Sequence, residues 1–320
     1  MNVFLTFDIE VWCNGWTDLD ARFPASFERY VYGRSEAGDY ALPKTLEIMA
    51  RHGARGVFFV EPLFAARFGV EHLATIVGLI QDAGQEVQLH LHPEWTDEIR
   101  PAVFPDKPFK RQHLCFYDLD EQIALIRLGM ALLTEAGAAP ISAFRAGSFA
   151  ANADTLTAVE RCGLRFDASL NMNYPISGSD LRAGFDFYHP RRHDGLTLLP
   201  MTTFRDGFGR LRHAQVGACS AAELQQAMAD SAARDHPCFT ILSHNFEMLR
   251  AGSSRPDPIV AGRFEALCRH LGRNREQLPT AGLVSPPELT PAADTLELPR
   301  CGALATTRRY AGQAVRRLWH

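Results

Sequence analysis

The 320-residue sequence predicts an α/β protein, built as a (β/α) barrel with seven or eight parallel strands. Three observations carry that expectation. Short β-type runs alternate with segments of helical periodicity along most of the chain, the pattern of a parallel sheet with helices outside. Seven or eight such units favour a closed or nearly closed barrel. No G-x-G-x-x-G follows the first strand, which counts against the doubly wound open sheet that is the alternative.

The units follow in order. "NVFLTFD" (2–8) reads as a strand and "ALPKTLEIMARHG" (41–53) as a helix with a glycine stop. Then come strand 54–62, helix 71–84 and strand "EVQLHLH" (86–92), followed by helix 118–137, strand "ISAFRAG" (141–147) and helix 152–163. Strand "LRFDASL" (164–170) precedes an irregular stretch to about 195 and strand "LTLLP" (196–200). Helix 220–234, strand "CFTILSH" (238–244), helix 257–272 and a last short strand "GLVSP" (282–286) complete the barrel domain, residues 1–289. No internal repeat is visible.

Composition bounds the function. A 46% hydrophobic and 22% charged chain suits a soluble globular enzyme or binding protein. A formal charge of −4 gives no reason to expect a nucleic-acid partner. No apolar run approaches the ~18 residues needed to span a bilayer. "MNVFLTFDIE" lacks the basic start of an export signal, and the seven scattered cysteines contain no C-x-x-C. A cytoplasmic protein with reduced thiols is expected.

In a parallel barrel the chemistry collects at the C-terminal ends of the strands, and five ends carry unusual polar groups. "TFDIE" puts Asp8 and Glu10 on one face, since side chains alternate along a strand. Two such carboxylates can divide labour, one binding a metal and the other taking a proton from water; otherwise Asp8 caps a turn and Glu10 is solvated. "GQEVQLHLHPEW" ends with His90 and His92 on one face, about 6.6 Å apart along the strand. Imidazole nitrogens so placed can converge on one ion at about 2.0–2.1 Å. "AFRAGS" places Arg145 at the rim before a small turn whose backbone N–H groups, at Gly147 and Ser148, can stabilise an oxyanion. "RFDASL" gives Asp167. "FTILSHNFE" gives His244, the side chain type best suited to protonate a leaving group near neutral pH.

Two long loops, 11–40 and 93–117, follow the first and third strands. Their aromatics, Trp12 and Trp95 among them, either stack on a sugar or pack the loops onto the barrel. After Ser285 a proline-spaced linker leads to a basic segment. Residues 290–320 are read as linker and short helix, with Arg308, Arg309, Arg316 and Arg317 beside Leu318 and Trp319. That segment, 303–320, is either a packed terminal helix or a peripheral membrane contact.

The order of these motifs resembles the polysaccharide deacetylases of the NodB-homology type, carbohydrate esterase family 4 in the broad sense, over about residues 2–290. The resemblance implies a distorted (β/α) barrel and removal of N- or O-acetyl groups with one divalent metal, most often zinc. "TFDIE" is similar to the family's T-F-D-D motif, which implies Asp8 as base and Glu10 as metal ligand. "HLHP" stands for H-x-x-x-H and is two residues shorter; it implies His90 and His92 as ligands, with Glu94 or His113 completing the shell if His92 turns away. "RAGS" stands for R-x-P-Y without its proline and aromatic, and implies Arg145 as partner of the base. "FDAS" and "LSHN" imply Asp167 as the acid orienting His244 and His244 as general acid.

The implied substrate is an acetylated sugar of a glycan or glycan precursor. The missing export signal suggests a nucleotide-linked or lipid-linked acetamido sugar. Three rivals stay open: a metal-dependent amidase or imidase on a small non-sugar amide, a serine hydrolase using Ser148 or Ser243 with His244 but lacking a G-x-S-x-G elbow, and a catalytically silent carbohydrate-binding barrel.

Overall fold

A computed structural model describes residues 1–174, 181, 188–289 and 296–318. Its main sheet has eight strands: β1 (Asn2–Ile9), β2 (Val57–Val60), β3 (Glu86–Leu91), β4 (Ala143–Ala146), β5 (Phe166–Asp167), β6 (Arg191–His193), β7 (Leu196–Leu198) and β8 (Cys238–His244). They lie in the order β8-β1-β2-β3-β4-β5-β7-β6. All neighbours are parallel except β6, which runs antiparallel to β7 at the edge. This is the distorted (β/α) barrel the sequence predicts, with seven parallel strands. The gap between the β7/β6 edge and β8 is bridged by the chain that follows β7. Leu242 donates to the Ala214 carbonyl (2.9 Å), Val216 to the Leu242 carbonyl (3.0 Å) and Thr240 N–H to Thr202 Oγ1 (2.7 Å). Those bonds satisfy the free edge of β8 without a full strand.

Helices α1 (Leu19–Phe27), α2 (Leu42–His52), α3 (Val70–Asp82), α4 (Leu119–Glu135), α5 (Ala153–Arg161), α6 (Ala221–Ala233), α7 (Pro258–Arg273) and α8 (Ala303–Leu318) cover the sheet. Their starts are written locally. Asp118 with Glu121, Asn152 with Thr155 and Ser220 with Glu223 form capping boxes, and Asp257 caps α7 with Pro258 in its first turn. The sheet separates two apolar cores. A large outer one packs helices on strands through residues such as Phe7, Phe58, Leu89 and Phe144. A small inner one, with Phe4, Val57, Phe59, Phe166 and Ala168, fills the barrel below the polar strand ends.

The predicted strand 282–286 does not form. Val3 donates to Pro279 and Ala281 donates back to Val3, while Ala281 and Leu283 enter the inner core from the barrel's lower end. The Glu86 carboxylate accepts from Leu283 N–H (2.8 Å) and Val284 N–H (3.1 Å), taking the donors a ladder would need. The run 164–170 pairs over Phe166–Asp167 alone. Loop 11–40 is not irregular throughout: it holds α1 and a π-helical turn at Glu28–Tyr32.

Helix α8 lies on α6 and the hairpin Thr203–Arg205/Leu211–His213. Buried Arg309 binds Asp206 (2.7 Å) and Glu223 (3.0 Å), and Arg316 binds Asp257 (2.6 Å). Two of the four arginines of this segment are thus turned inward onto acids, as the packed terminal helix among the two sequence readings requires. Trp319 lies outside the described residues. No helix is long and apolar enough to cross a membrane among the residues described.

Candidate active site and metal centre

Register decides which groups meet. Asp8 on β1 stands opposite His244 on β8, and His90 on β3 stands opposite Arg145 on β4. Alternation turns Thr6, Asp8 and Glu10 to the barrel interior, as it does His90, His92 and Arg145. The fully buried Arg145 guanidinium donates from Nη1 to Asp8 Oδ1 (2.6 Å) and from Nη2 to Thr6 Oγ1 (3.0 Å), and its Cζ lies 4.2 Å from the Phe59 ring centre. A buried ion pair is tolerated when remaining donors are satisfied and the cation rests on an aromatic face. Asp8 is thereby fixed in place with one oxygen toward the site.

The two histidines share a tautomer. His90 Nδ1 bonds the Arg145 carbonyl at 2.8 Å, and His92 Nδ1 bonds Glu94 Oε2 at 3.2 Å. Both partners only accept, so both protons sit on Nδ1. The Nε2 atoms then lie 3.2 Å and 3.0 Å from one carboxylate oxygen, Glu10 Oε1, which has no proton to give them when ionised. Burial disfavours charge on His92, yet Glu10 and Glu94 hold its pKa well above the ordinary imidazole range, so a proton links Nε2 to Glu10 at the point where a bound cation would take its place. Burial opposes charge on Glu10, yet His92 and His90 hold its carboxyl well below the ordinary range. The donor set Glu10, His90, His92 is a candidate metal site whose atoms lie within 4.8 Å of one another, and Asp8, Glu10 and His244 form an overlapping one. A carboxylate and two imidazoles suit a transition ion such as zinc, and a carboxylate behind His92 is the usual support of a metal-binding imidazole. Glu94 is thus behind His92 rather than in the shell. His113 packs on Phe116 and belongs to neither group.

Asp8, Glu10, His92, Ser148 and His244 line one cleft of about 250 Å³, with Phe149, Tyr174, His213, Gln215 and Leu242 completing its walls. Gly147 is required by packing: a Cβ there would stand 2.7 Å from the His92 ring and from the Leu91 carbonyl. The turn beyond it is strained, with Ser148 and Phe149 at φ 54 and 56. Consecutive left-handed residues of this kind cost on the order of 1–3 kcal/mol each and occur where backbone groups are aimed at a site.

The chain is similar to the crystal structure of a candidate polysaccharide deacetylase from Mycobacterium smegmatis, at 20% identity and a TM-score of 0.51, over 90% of this chain and 94% of that one. The chain has the polysaccharide deacetylase fold. It is also similar to a family 4 carbohydrate esterase from Streptomyces lividans in complex with acetate, at 14% identity and a TM-score of 0.43, over 89% and 93%. A third similarity is to a family 4 pseudoenzyme from Bacillus anthracis, at 16% identity and a TM-score of 0.40, over 86% and 60%. No family sequence model and no curated protein matches the chain.

Within this deacetylase fold three sequence expectations are corrected. Asp167 does not orient His244. Phe166 and Ala168 enter the inner core, so alternation turns Asp167 to the other face, where it accepts from Ser169 N–H (3.0 Å) and Oγ–H (2.8 Å). Ser169 Oγ in turn accepts from Ala146 N–H, so Asp167 braces the end of β4; burial pushes its carboxyl up to about 6. The partner of His244 is Glu247, whose Oε1 takes the Nδ1 proton at 3.0 Å. Burial disfavours the charged ring, but Glu247, then Glu10 and Asp8, raise His244 to about 9.

Trp95 cannot stack on a ligand either. It is 1% exposed and packs edge-on against Trp16 and Phe68. Trp12 is half-buried and supports the candidate metal ligands, donating Nε1–H to Glu10 Oε2 (2.6 Å) with its ring edge-on to His92. Nor do Ser243 and His244 form a nucleophile pair, because Ser243 Oγ donates to the same Glu247 carboxylate.

Sequence reasoning missed Glu247, Gln215 and Asn245. Gln215 Nε2 and Gly217 N–H donate to Glu247, and Asn245 ties the Glu10 backbone to the Tyr30 carbonyl. Only Glu247 left a signal, an acid three residues beyond a strand-end histidine.

Proposed function

We propose that the protein is a metal-dependent hydrolase that removes an acetyl group from an acetamido sugar of a glycan or glycan precursor. One observation carries the reading: two imidazole Nε2 atoms and a carboxylate converge beside an arginine-held aspartate and a glutamate-held histidine, and Asp8, Glu10, His92 and His244 of this set line one cleft. Glu10, His90 and His92 would hold a divalent ion, with zinc expected, and its Lewis acidity would activate water and polarise the acetyl carbonyl.

This chain's residues do the rest. Asp8, fixed by Arg145, accepts a proton from the attacking water. The strained Ser148 turn offers backbone N–H to the tetrahedral oxyanion. His244 carries its shared proton on Nδ1 toward Glu247, which leaves Nε2–H of the imidazolium to protonate the departing sugar amine. Acetate and the free amino sugar leave. The seven thiols, none of them in a disulfide, fit a reducing compartment.

The test is acetate release from a panel of acetamido sugars, O-acetyl sugars and small non-sugar amides, with metal content measured before and after chelation. Sugar-dependent release lost on chelation and restored by metal supports the reading. Hydrolysis confined to the non-sugar amides sinks it in favour of an amidase. Asp8→Asn, His90→Ala and His244→Ala should each lower turnover at least ~100-fold.

A further inference from the structure

A second cleft, of about 490 Å³, opens beside the catalytic one. That volume is within the roughly 300–1,000 Å³ usual for small-ligand sites. Gln215 lines both clefts, and Glu247 forms the wall between them with its neighbour Phe246, whose ring lies 5.2 Å from that of His244. A sugar whose nitrogen lies at His244 thus has this space within reach of its substituents.

The second cleft is lined by Arg29, Arg250 and Arg316. Glu247 is its acid, but that carboxylate already accepts from His244, Gln215, Gly217 and Ser243. Arg29 has no ion pair among the described residues; its Cζ lies 5.0 Å from the Tyr30 ring centre and its buried Nε has no acceptor. Arg316 binds Asp257 and then shares the Gly217 carbonyl with Arg263, at 3.4 and 3.2 Å. Two guanidinium groups therefore meet one carbonyl with a single acid between them. Arg250 is anchored by Nε–H to the Pro256 carbonyl (3.2 Å). Arg29, Arg263 and Arg316 thus bring more positive charge to this wall than Asp257 offsets, in a chain whose net formal charge is −4. Guanidinium forks in a cleft match phosphate oxygens in geometry and charge.

We propose that this cleft binds a phosphate or diphosphate group of the substrate, so that the acetamido sugar delivered to His244 is a phospho-linked one. The proposal rests on the deacetylase reading of the neighbouring cleft. It also assigns α8 a role, since Arg316 brings the C-terminal helix to the substrate.

Calorimetric titration of inorganic pyrophosphate into the metal-loaded protein tests it, with Arg29→Ala and Arg29→Glu compared by circular dichroism for folding. Binding should weaken at least ~10-fold in the first variant and be lost in the second. Pyrophosphate also chelates metal, so only the difference between wild type and variants counts. Equal binding by all three proteins, or none by wild type, overturns the proposal. In a second arm, kcat/KM for acetate release from N-acetylglucosamine 1-phosphate should exceed that from N-acetylglucosamine at least ~10-fold, and Arg29→Glu should abolish the preference. Failure of both sugars would count against the deacetylase reading while the pyrophosphate arm still decides the subsite. Competition by uridine diphosphate and by geranyl diphosphate separates the carriers: the stronger competitor identifies a nucleoside or a lipid, and displacement by neither overturns the assignment.

Discussion

On the β1, β3 and β4 side of the barrel mouth, Asp8, Glu10, His90, His92 and Arg145 sit at strand ends or one residue beyond, and hold one another at 2.6–3.2 Å. On the β8 side, His244 leaves its strand alone and takes Glu247 as its partner from the chain beyond it, a carboxylate that Gln215 holds in turn. The first side is buried and fixed by register, so any change there disturbs several groups. The second is partly open, and Glu247 is the foremost of the carboxylates that tune it. The difference separates a rigid half, proposed to hold the metal, from an adjustable half proposed to donate the proton.

Breaking the rigid half should have the largest effect. His90→Ala should lose bound metal together with at least ~100-fold in turnover, read by metal analysis and acetate release. Gly147→Ala probes the same half without replacing a ligand. Its methyl group would press on the His92 ring, so thermal melting should show a loss of about 1–3 kcal/mol and metal titration an affinity weakened ~10–100-fold. Unchanged metal affinity would show that the His92 position is not fixed by packing.

The adjustable half should bend before it breaks. Glu247→Gln removes a charge that raises His244, so its pKa falls. The proposed mechanism needs the protonated ring, so the alkaline limb of the pH–rate profile should move to lower pH, with a drop of ~10-fold or less near neutral pH. A bound cation displaces both profiles alike, which makes the shift between them the useful reading. An unmoved limb would remove Glu247 as the partner.

Asp167→Asn should do least to catalysis, because Asp167 braces β4 from the other face. Its effect is on stability. A carboxyl raised to about 6 in the fold keeps its proton there after the unfolded chain, at about 4, has lost its own. That contribution is full below about pH 4 and lost as pH rises through 6. The variant should therefore melt higher relative to wild type at pH 7.5 than at pH 4. A pH-independent difference would contradict the linkage.

The legible part of this protein is the part that obeys period two. Asp8, Glu10, His90, His92 and Arg145 could be placed on one interior because alternation and strand order bring them there. The same rule, applied through Phe166 and Ala168, turns Asp167 away, and only the packed core shows which face those two residues take. Trp95 was ambiguous because a loop aromatic has no period to read, and burial against Trp16 and Phe68 decides it. Glu247 and Gln215 meet through turns about 30 residues apart in the chain, where no spacing rule applies. Strand 282–286 failed because a distant carboxylate, Glu86, supplied the acceptors its backbone needed.

Everything above depends on Glu10, His90 and His92 meeting at one cation. Competitive titration of zinc against a colorimetric chelator, on the wild type and the three alanine variants, tests this most directly. The account predicts one tight equivalent in the wild type and its loss in each variant. Variants that hold zinc as tightly as the wild type would contradict it.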